Sequence, residues 1–176
     1  VQHSDMMLLL ARTTPREEVE RKSEGLSVFL VDLREAVGSG LTVKPRRVML
    51  NNETNELVFE DLAVPAENLV GEEGRGFRYI LDGMNAERIL IAAECVGNGR
   101  WFVERSAARA RKRVVFGRPI GKNQGVQFPI AKAHISVEAA DLMRSRAAEL
   151  FDGGEPCGAE ANMALLLAAE AAWEAA

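Results

Sequence analysis

At Gly71-Glu72-Glu73-Gly74-Arg75-Gly76 the character of this chain changes once and does not change back. Before it, apolar residues come in short runs rich in Leu, Val and Phe, separated by turn formers. After it they recur at helical spacing. Strands first and helices second exclude an alternating α/β fold. The expected class is α+β: an antiparallel β segment over residues 1–70, then an antiparallel helical bundle, still incomplete, over residues 71–176.

The strand runs are Met6 to Arg12, Leu26 to Leu33, Leu41 to Leu50 and Glu56 to Leu62. Thr13-Thr14-Pro15 and the charged stretch Arg16 to Glu24 read as a solvated loop or as a partner-docking segment. Gly38-Ser39-Gly40 and Asn51-Asn52-Glu53-Thr54-Asn55 supply turns, and no helix is expected between the strands. Beyond Gly76 no strand is expected. Phe77 to Arg113 reads as one helix, roughly 55 Å long at 1.5 Å per residue. Gly97 and Gly99 weaken it locally and mark a close approach by another helix backbone. Arg118-Pro119-Ile120-Gly121 reads as a loop. A second helix runs from about Asn123 or Pro129 to Phe151, with Ile135, Ala139, Leu142, Met143, Ala147 and Leu150 on one stripe. Gly153-Gly154 closes it, and Pro156 fits the first turn of a third helix.

Composition narrows the function classes. With 47% hydrophobic residues among 176, a globular core is within reach. No uncharged apolar run approaches the ~20 residues of a membrane-spanning helix. A net charge of −4 argues against a dedicated nucleic-acid binder. Cys95 and Cys157 cannot make a disulfide framework or a four-ligand zinc site, which points to a reducing compartment, and His3 and His134 exclude a His-rich metal cluster. The chain starts at Val1 with no signal-peptide layout and ends in unbroken helix formers, so it reads as a piece of a longer protein.

Charge is the clearest local anomaly. Arg105, Arg109, Arg111, Lys112, Arg113, Arg118 and Lys122 fall in one stretch without an acid. They fit a solvated helix C-terminus that complements the macrodipole. The functional reading is a compact site where guanidinium groups hold a phosphate or pyrophosphate, with Phe116-Gly117-Arg118-Pro119-Ile120-Gly121 letting the backbone approach; charge alone favours the solvated helix end. A second feature is Asn85-Ala86-Glu87-Arg88, embedded in the apolar stretch Ile80 to Val96. At the edge of a buried face Glu87 would be a general base; exposed, it would pair with a neighbouring arginine. Glu94 is a similar candidate. Gly71 to Gly76 is not a dinucleotide fingerprint, because its spacing is wrong and no strand–turn–helix unit surrounds it. Cys95, Cys157 and His134 read as ordinary structural residues. No Ser-His-Asp or Cys-His arrangement can be assembled.

Together these residues carry a resemblance. Phe59-Glu60-Asp61-Leu62-Ala63-Val64-Pro65, Asn68-Leu69-Val70-Gly71, Gly74-Arg75-Gly76-Phe77, Glu87-Arg88, and Arg113-Val114-Val115-Phe116-Gly117-Arg118-Pro119-Ile120 through Gln124 and Gln127-Phe128 stand in the order and spacing of acyl-CoA dehydrogenases. The chain resembles the later part of that family's middle β domain, followed by the first two helices and part of the third of its C-terminal four-helix bundle.

The resemblance implies FAD-dependent oxidation of an acyl-CoA thioester to the trans-2-enoyl form, in fatty acid metabolism. A carboxylate takes the α-proton, the β-hydrogen leaves as hydride to flavin N5, and electrons pass to an electron-transfer flavoprotein. By position, Arg113 matches the contact to the FAD pyrophosphate, Gln124 a contact to its ADP part, and Phe116 a residue packed near the cofactor. Val115 stands where some members carry a hydroxyl residue. These contacts reach the FAD of a neighbouring subunit in the family, so a homodimer or tetramer is implied. Asn85 and Arg88 match the lining of the CoA-thioester channel. Glu87 occupies the base position of the isovaleryl- and long-chain-type members; most others place the base on a loop that would lie beyond Ala176. Location in the bacterial cytoplasm or the mitochondrial matrix follows, as does the expectation that this stretch alone does not turn over substrate. An acyl-CoA oxidase on the same fold and a non-catalytic helical interaction module are the competing readings.

Overall fold

The structure, a computed structural model, describes residues 1–49 and 54–176. Leu50 and Asn51 to Glu53, the end of the third strand run and most of the expected turn after it, lie outside the described residues. The chain divides into two compact units, Val1–Leu81 and Asp82–Ala176.

In the first unit, β1 (Met6–Arg12) pairs antiparallel with β2 (Leu26–Asp32), from Met6 opposite Asp32 to Arg12 opposite Leu26. The short β5 (Leu69–Val70) joins the other edge of β2. A separate antiparallel pair is formed by β3 (Leu41–Pro45) and β4 (Asn55–Phe59). The expected antiparallel pairing is present, but as two small sheets. One expectation is corrected: a short helix, α1 (Leu33–Ala36), stands between β2 and β3. Its signal was legible, because Asp32 at the N-cap accepts a hydrogen bond from the Arg34 N–H at 2.9 Å. The Arg34 guanidinium also binds that carboxyl and holds its pKa at about 2. Val31, Leu33, Ala36 and Leu41 form the core here, with Leu9, Phe29, Val43 and Leu57 packed against them.

The charged stretch after β1 folds back on its own strand. The Arg12 guanidinium donates to the carbonyls of Lys22 (2.8 Å), Glu24 (2.9 Å) and Thr14 (3.3 Å). Ser27 is fully buried; its hydroxyl meets that of Thr13 at 2.8 Å and accepts from the Gly74 N–H at 2.8 Å. A buried hydroxyl must find partners. These two tie the glycine-rich stretch to β2 immediately before the long helix begins.

That helix, α2 (Gly76–Lys112), has the expected length. After it come a two-stranded hairpin of β6 (Val114–Val115) and β7 (Arg118–Pro119), then α3 (Gln124–Asp152) and α4 (Gly158–Ala175). The hairpin corrects the expectation of no strand beyond Gly76 and of a plain loop over Arg118 to Gly121. Pro156 lies before α4, not in its first turn; Cys157 occupies the N-cap.

The second unit is held by small residues. Ile89, Ala92 and Val96 of α2 pack with Val137, Ala140 and Ala147 of α3 and with Ala161, Ala164, Ala168 and Ala171 of α4. The buried stripe of α3 is therefore Ala133, Val137, Ala140, Ala147 and Leu150. Of the expected stripe, Ala147 and Leu150 are buried and Met143 partly so, whereas Ala139 is exposed and Ile135 and Leu142 stay 66% and 75% exposed. The glycine expectation divides in the same way. A Cβ on Gly99 would lie 2.6 Å from Val137 Cγ2 and 3.6 Å from Ala172 Cα, but one on Gly97 meets open space.

Ion pairs lace the outside of the same seam. Arg100 of α2 binds Glu138 through two bonds of 3.0 Å and Asp141 through one of 2.8 Å, and Arg144 donates to Asp141 at 2.6 Å. Lys132 and Glu174 link α3 to α4 at 2.8 Å. Arg100 holds the Glu138 carboxyl below its ordinary pKa. Burial pushes Asp141 up, but the bonds from Arg144 and Arg100 outweigh it and leave its pKa lowered.

Two predictions follow from this seam. Gly97→Ala raises stability by up to about 1 kcal/mol through helix propensity, while Gly99→Val lowers it by about 1–3 kcal/mol through overpacking against the buried Val137; thermal unfolding of the two variants reads the difference. A depressed carboxylate pKa stabilises the fold above the ordinary carboxylate range and loses that contribution as pH falls through the folded value. Melting temperature therefore drops between about pH 5 and pH 2, and Arg100→Gln flattens that acid limb.

Candidate functional site

The basic stretch closes α2 and enters the hairpin. The Arg113 N–H donates to the Arg109 carbonyl and the Ile120 N–H to the Arg113 carbonyl, both at 2.9 Å, so Arg113 sits where helix and hairpin meet. Val115 pairs with Arg118 across the hairpin. The two residues between them, Phe116 (φ 54°) and Gly117 (φ 77°), both lie in the left-handed region. This is the backbone of a mirror-image two-residue turn. Glycine adopts it freely; an aromatic residue does so at a cost of roughly 1–2 kcal/mol. Phe116 recovers nothing by packing, since its side chain is fully exposed. Strain of that kind at an exposed tip makes Phe116 a candidate functional position.

Among the described residues, none of the seven cations of this stretch has a carboxylate partner. Arg105 lies over the Trp101 ring at 5.3 Å. Arg118 donates to the Asn123 side chain at 2.7 Å. Arg109, Arg111, Lys112 and Arg113 all point charge into solvent-exposed positions. Asn123 precedes α3, where a side-chain cap is the ordinary choice, yet its carboxamide donates to the Ile120 carbonyl and no side chain caps the helix. Gln124 follows as the first, exposed residue of α3. An uncapped helix N-terminus beside uncompensated guanidinium groups is a site for an anion. The donor set fits the pyrophosphate of a dinucleotide: Arg113 supplies fixed positive charge, Gln124 a carboxamide, and Phe116 an exposed ring. Val115 brings an apolar side chain only.

The other candidate group lies at the beginning of the second unit. Arg88 donates to the Asn85 side chain at 3.1 Å, one turn apart on α2. Gly158 at the start of α4 comes close, with a Cβ there 3.8 Å from Asn85 Nδ2. Glu87 is exposed, with no hydrogen bond or ion pair among the described residues. The neighbouring arginine that would have neutralised it is occupied by Asn85. Glu94 is likewise exposed. Burial, with Glu94 nearby, pushes the Cys95 thiol up, which disfavours a reactive thiolate. No group of three or more metal-binding side chains occurs among the described residues, and no helix there is long and apolar enough to cross a membrane.

Asn85 and Arg88 thus touch, with Glu87 beside them in sequence but bonded to neither, and Arg113, Val115, Phe116 and Gln124 lie along one segment from the end of α2 to the start of α3. The structure does not bring the two groups together: 26 residues of rise along α2 put Glu87 and Arg113 about 39 Å apart. Sequence reasoning missed the role of Asn123, whose only signal was its place before an apolar helix. It also missed the turn at Phe116-Gly117, where an aromatic residue in a left-handed conformation leaves no trace in composition.

Known proteins resemble this chain along its whole length. A family model described as acyl-CoA dehydrogenase, C-terminal domain, matches residues 74–176. An acyl-CoA dehydrogenase of Bacillus subtilis is 37% identical over 174 residues, covering 98% of this chain and 45% of the relative. The solved butyryl-CoA dehydrogenase of Megasphaera elsdenii superposes with a TM-score of 0.85 at 28% identity, over 97% of this chain and 43% of that one. An FAD complex of PigA does so with a TM-score of 0.86 at 29% identity, over 99% and 44%. The chain spans less than half the length of the curated relatives it matches.

Proposed function

Because the chain belongs to the acyl-CoA dehydrogenase family, we propose that it forms part of an enzyme that oxidises an acyl-CoA thioester to the trans-2-enoyl-CoA. Residues 1–70 would contribute to a middle β domain and residues 71–176 to a C-terminal bundle. The observation that supports this most directly is the uncompensated basic rim around the Phe116-Gly117 turn and the uncapped start of α3. It suits one diphosphate, and FAD carries one.

In this reading Arg113 holds the FAD pyrophosphate, Gln124 bonds its ADP part, and Val115 and Phe116 line the cofactor. FAD, when bound, supplies the two-electron acceptor for the β-hydrogen, with an electron-transfer flavoprotein as the onward partner. Asn85 and Arg88, fixed to one another, orient the thioester. Glu87 takes the α-proton. Its carboxylate carries no ion pair among the described residues, so no cation competes for it when a bound substrate presents its α-hydrogen, and a positioned carboxylate there acts as a general base. Arg113 and Glu87, at opposite ends of one helix, cannot serve one flavin from a single copy. The arrangement favours a homo-oligomer in which the basic rim of one subunit serves the site of its neighbour.

Glu87→Gln in the complete protein cuts turnover by orders of magnitude and leaves flavin absorbance intact, whereas Arg113→Ala with Gln124→Ala lowers flavin content. Survival of activity in Glu87→Gln would move the base downstream of Ala176. Mixing subunits tests the sharing directly. Oligomers that combine Glu87→Gln subunits with Arg113→Ala, Gln124→Ala subunits regain part of the activity, because one site then receives both lesions and its mate neither. No recovery would show that each site is built from one chain.

A further inference from the structure

The side of α2 that carries Glu87 continues beyond it. Glu87, Leu90, Glu94, Gly97 and Trp101 stand at i, i+3, i+7, i+10 and i+14, which is one face of a helix. That face is open: Glu87, Glu94 and Gly97 are exposed, and Leu90 and Trp101 stay 70% and 53% exposed. Glu94 has neither a hydrogen bond nor an ion pair among the described residues. With Glu87 as the base, the reaction leaves this second carboxylate without a task.

Gly97 is the second anomaly on the same face. A glycine inside a helix costs about 1 kcal/mol relative to alanine. At Gly99 the close approach of Val137 explains the choice, but a Cβ on Gly97 meets nothing within 4 Å. Packing within the chain gives no reason for this gap beside Glu94. Trp101 bounds the gap on its far side, with Arg105 over the ring at 5.3 Å.

The strip begins at the proposed base. Asn85, which orients the thioester, is approached by Gly158 at the start of α4, so the open way from Glu87 runs towards Glu94. Seven residues separate the two acids, about 10 Å of helix rise, the span of a medium-length acyl chain. Leu90 and Ile91 give that span an apolar floor. An unsubstituted alkyl chain laid along it would strip water from the Glu94 carboxylate and offer no partner in return. An ammonium at the end of the chain offsets that loss with a charge-assisted hydrogen bond, and the gap at Gly97 leaves room for it.

We infer that Glu94 selects the acyl group: the strip takes a medium-length acyl thioester whose far end bears an ammonium, held by the Glu94 carboxylate at the gap left by Gly97. This assignment rests on the proposed acyl-CoA dehydrogenase function and names its substrate class. Glu94 meets the substrate about two helical turns from the reacting carbons, so it acts on the choice between substrates and not on bond making.

The test uses the complete flavin-loaded protein and two thioesters that differ only at the far end, octanoyl-CoA and ω-aminooctanoyl-CoA. The unaltered protein has the higher kcat/KM for the amino thioester. Glu94→Gln lowers the ratio of the two kcat/KM values about tenfold or more, and Glu94→Leu reverses the preference. Gly97→Leu, which fills the gap, raises KM for the amino thioester more than for butyryl-CoA, whose chain ends short of it. No preference in the unaltered protein, or equal loss on both thioesters in Glu94→Gln, overturns the assignment. Calorimetric titration of the Glu87→Gln protein with the same two thioesters gives a readout independent of turnover. Tighter binding of the amino thioester there, abolished by adding Glu94→Gln, supports the assignment even if neither thioester is oxidised and the functional reading fails. Equal binding of the two overturns it while the functional reading stands.

Discussion

The helical unit depends on how closely three backbones can approach one another. Its seam is built mainly from Ala92, Ala140, Ala147, Ala161, Ala164, Ala168 and Ala171, with Ile89, Val96 and Val137 as its larger buried side chains. Alanine buries little apolar area, so each contact contributes modestly. The gain lies in continuity, because helices lined with small residues come within dispersion range along their whole length. Gly99 extends that logic to its limit at the point where Val137 and the end of α4 converge. The salt links of Arg100 and Lys132 then fasten the edges of the seam.

A seam of small residues has a cost in surface. Phe128, Ile135 and Leu142 on α3 and Leu166 and Trp173 on α4 remain well exposed. The helix α2 is unbroken over 37 residues, and it carries candidate chemistry in its first half and at its end. One end presents Asn85, Glu87 and Arg88; the other ends in cations without counter-charges. The uncompensated rim and the strained Phe116 stand side by side at the end of α2, which is the arrangement the proposed anion site requires.

Much of the fold was legible because its signals are local. The β1 strand has the bounds that its apolar run suggests, and α2 starts one residue before the expected position. The clustering of the cations at the end of α2 was legible too. What the chain hides is the conformation of Phe116, the diversion of Asn123 from capping α3 to bracing the loop, and the engagement of Arg88 by Asn85. Each depends on where a side chain finds its partner. The Arg34 N–H capped by Asp32 is the reverse case, a local signal present in the sequence that a run of apolar residues outweighed.

The order of strands before helices, the length of α2 and the sign of its C-terminal charge were determined by the sequence alone, since periodicity, turn formers and ionisable groups act over a few residues. Which apolar stripe of α3 became core was decided only in three dimensions. Ile135, Ala139 and Leu142 satisfy helical spacing as well as Ala133, Val137 and Ala140 do. The alanines of α4 accept only the second set, because close backbone approach favours small side chains over large ones even where both are equally apolar.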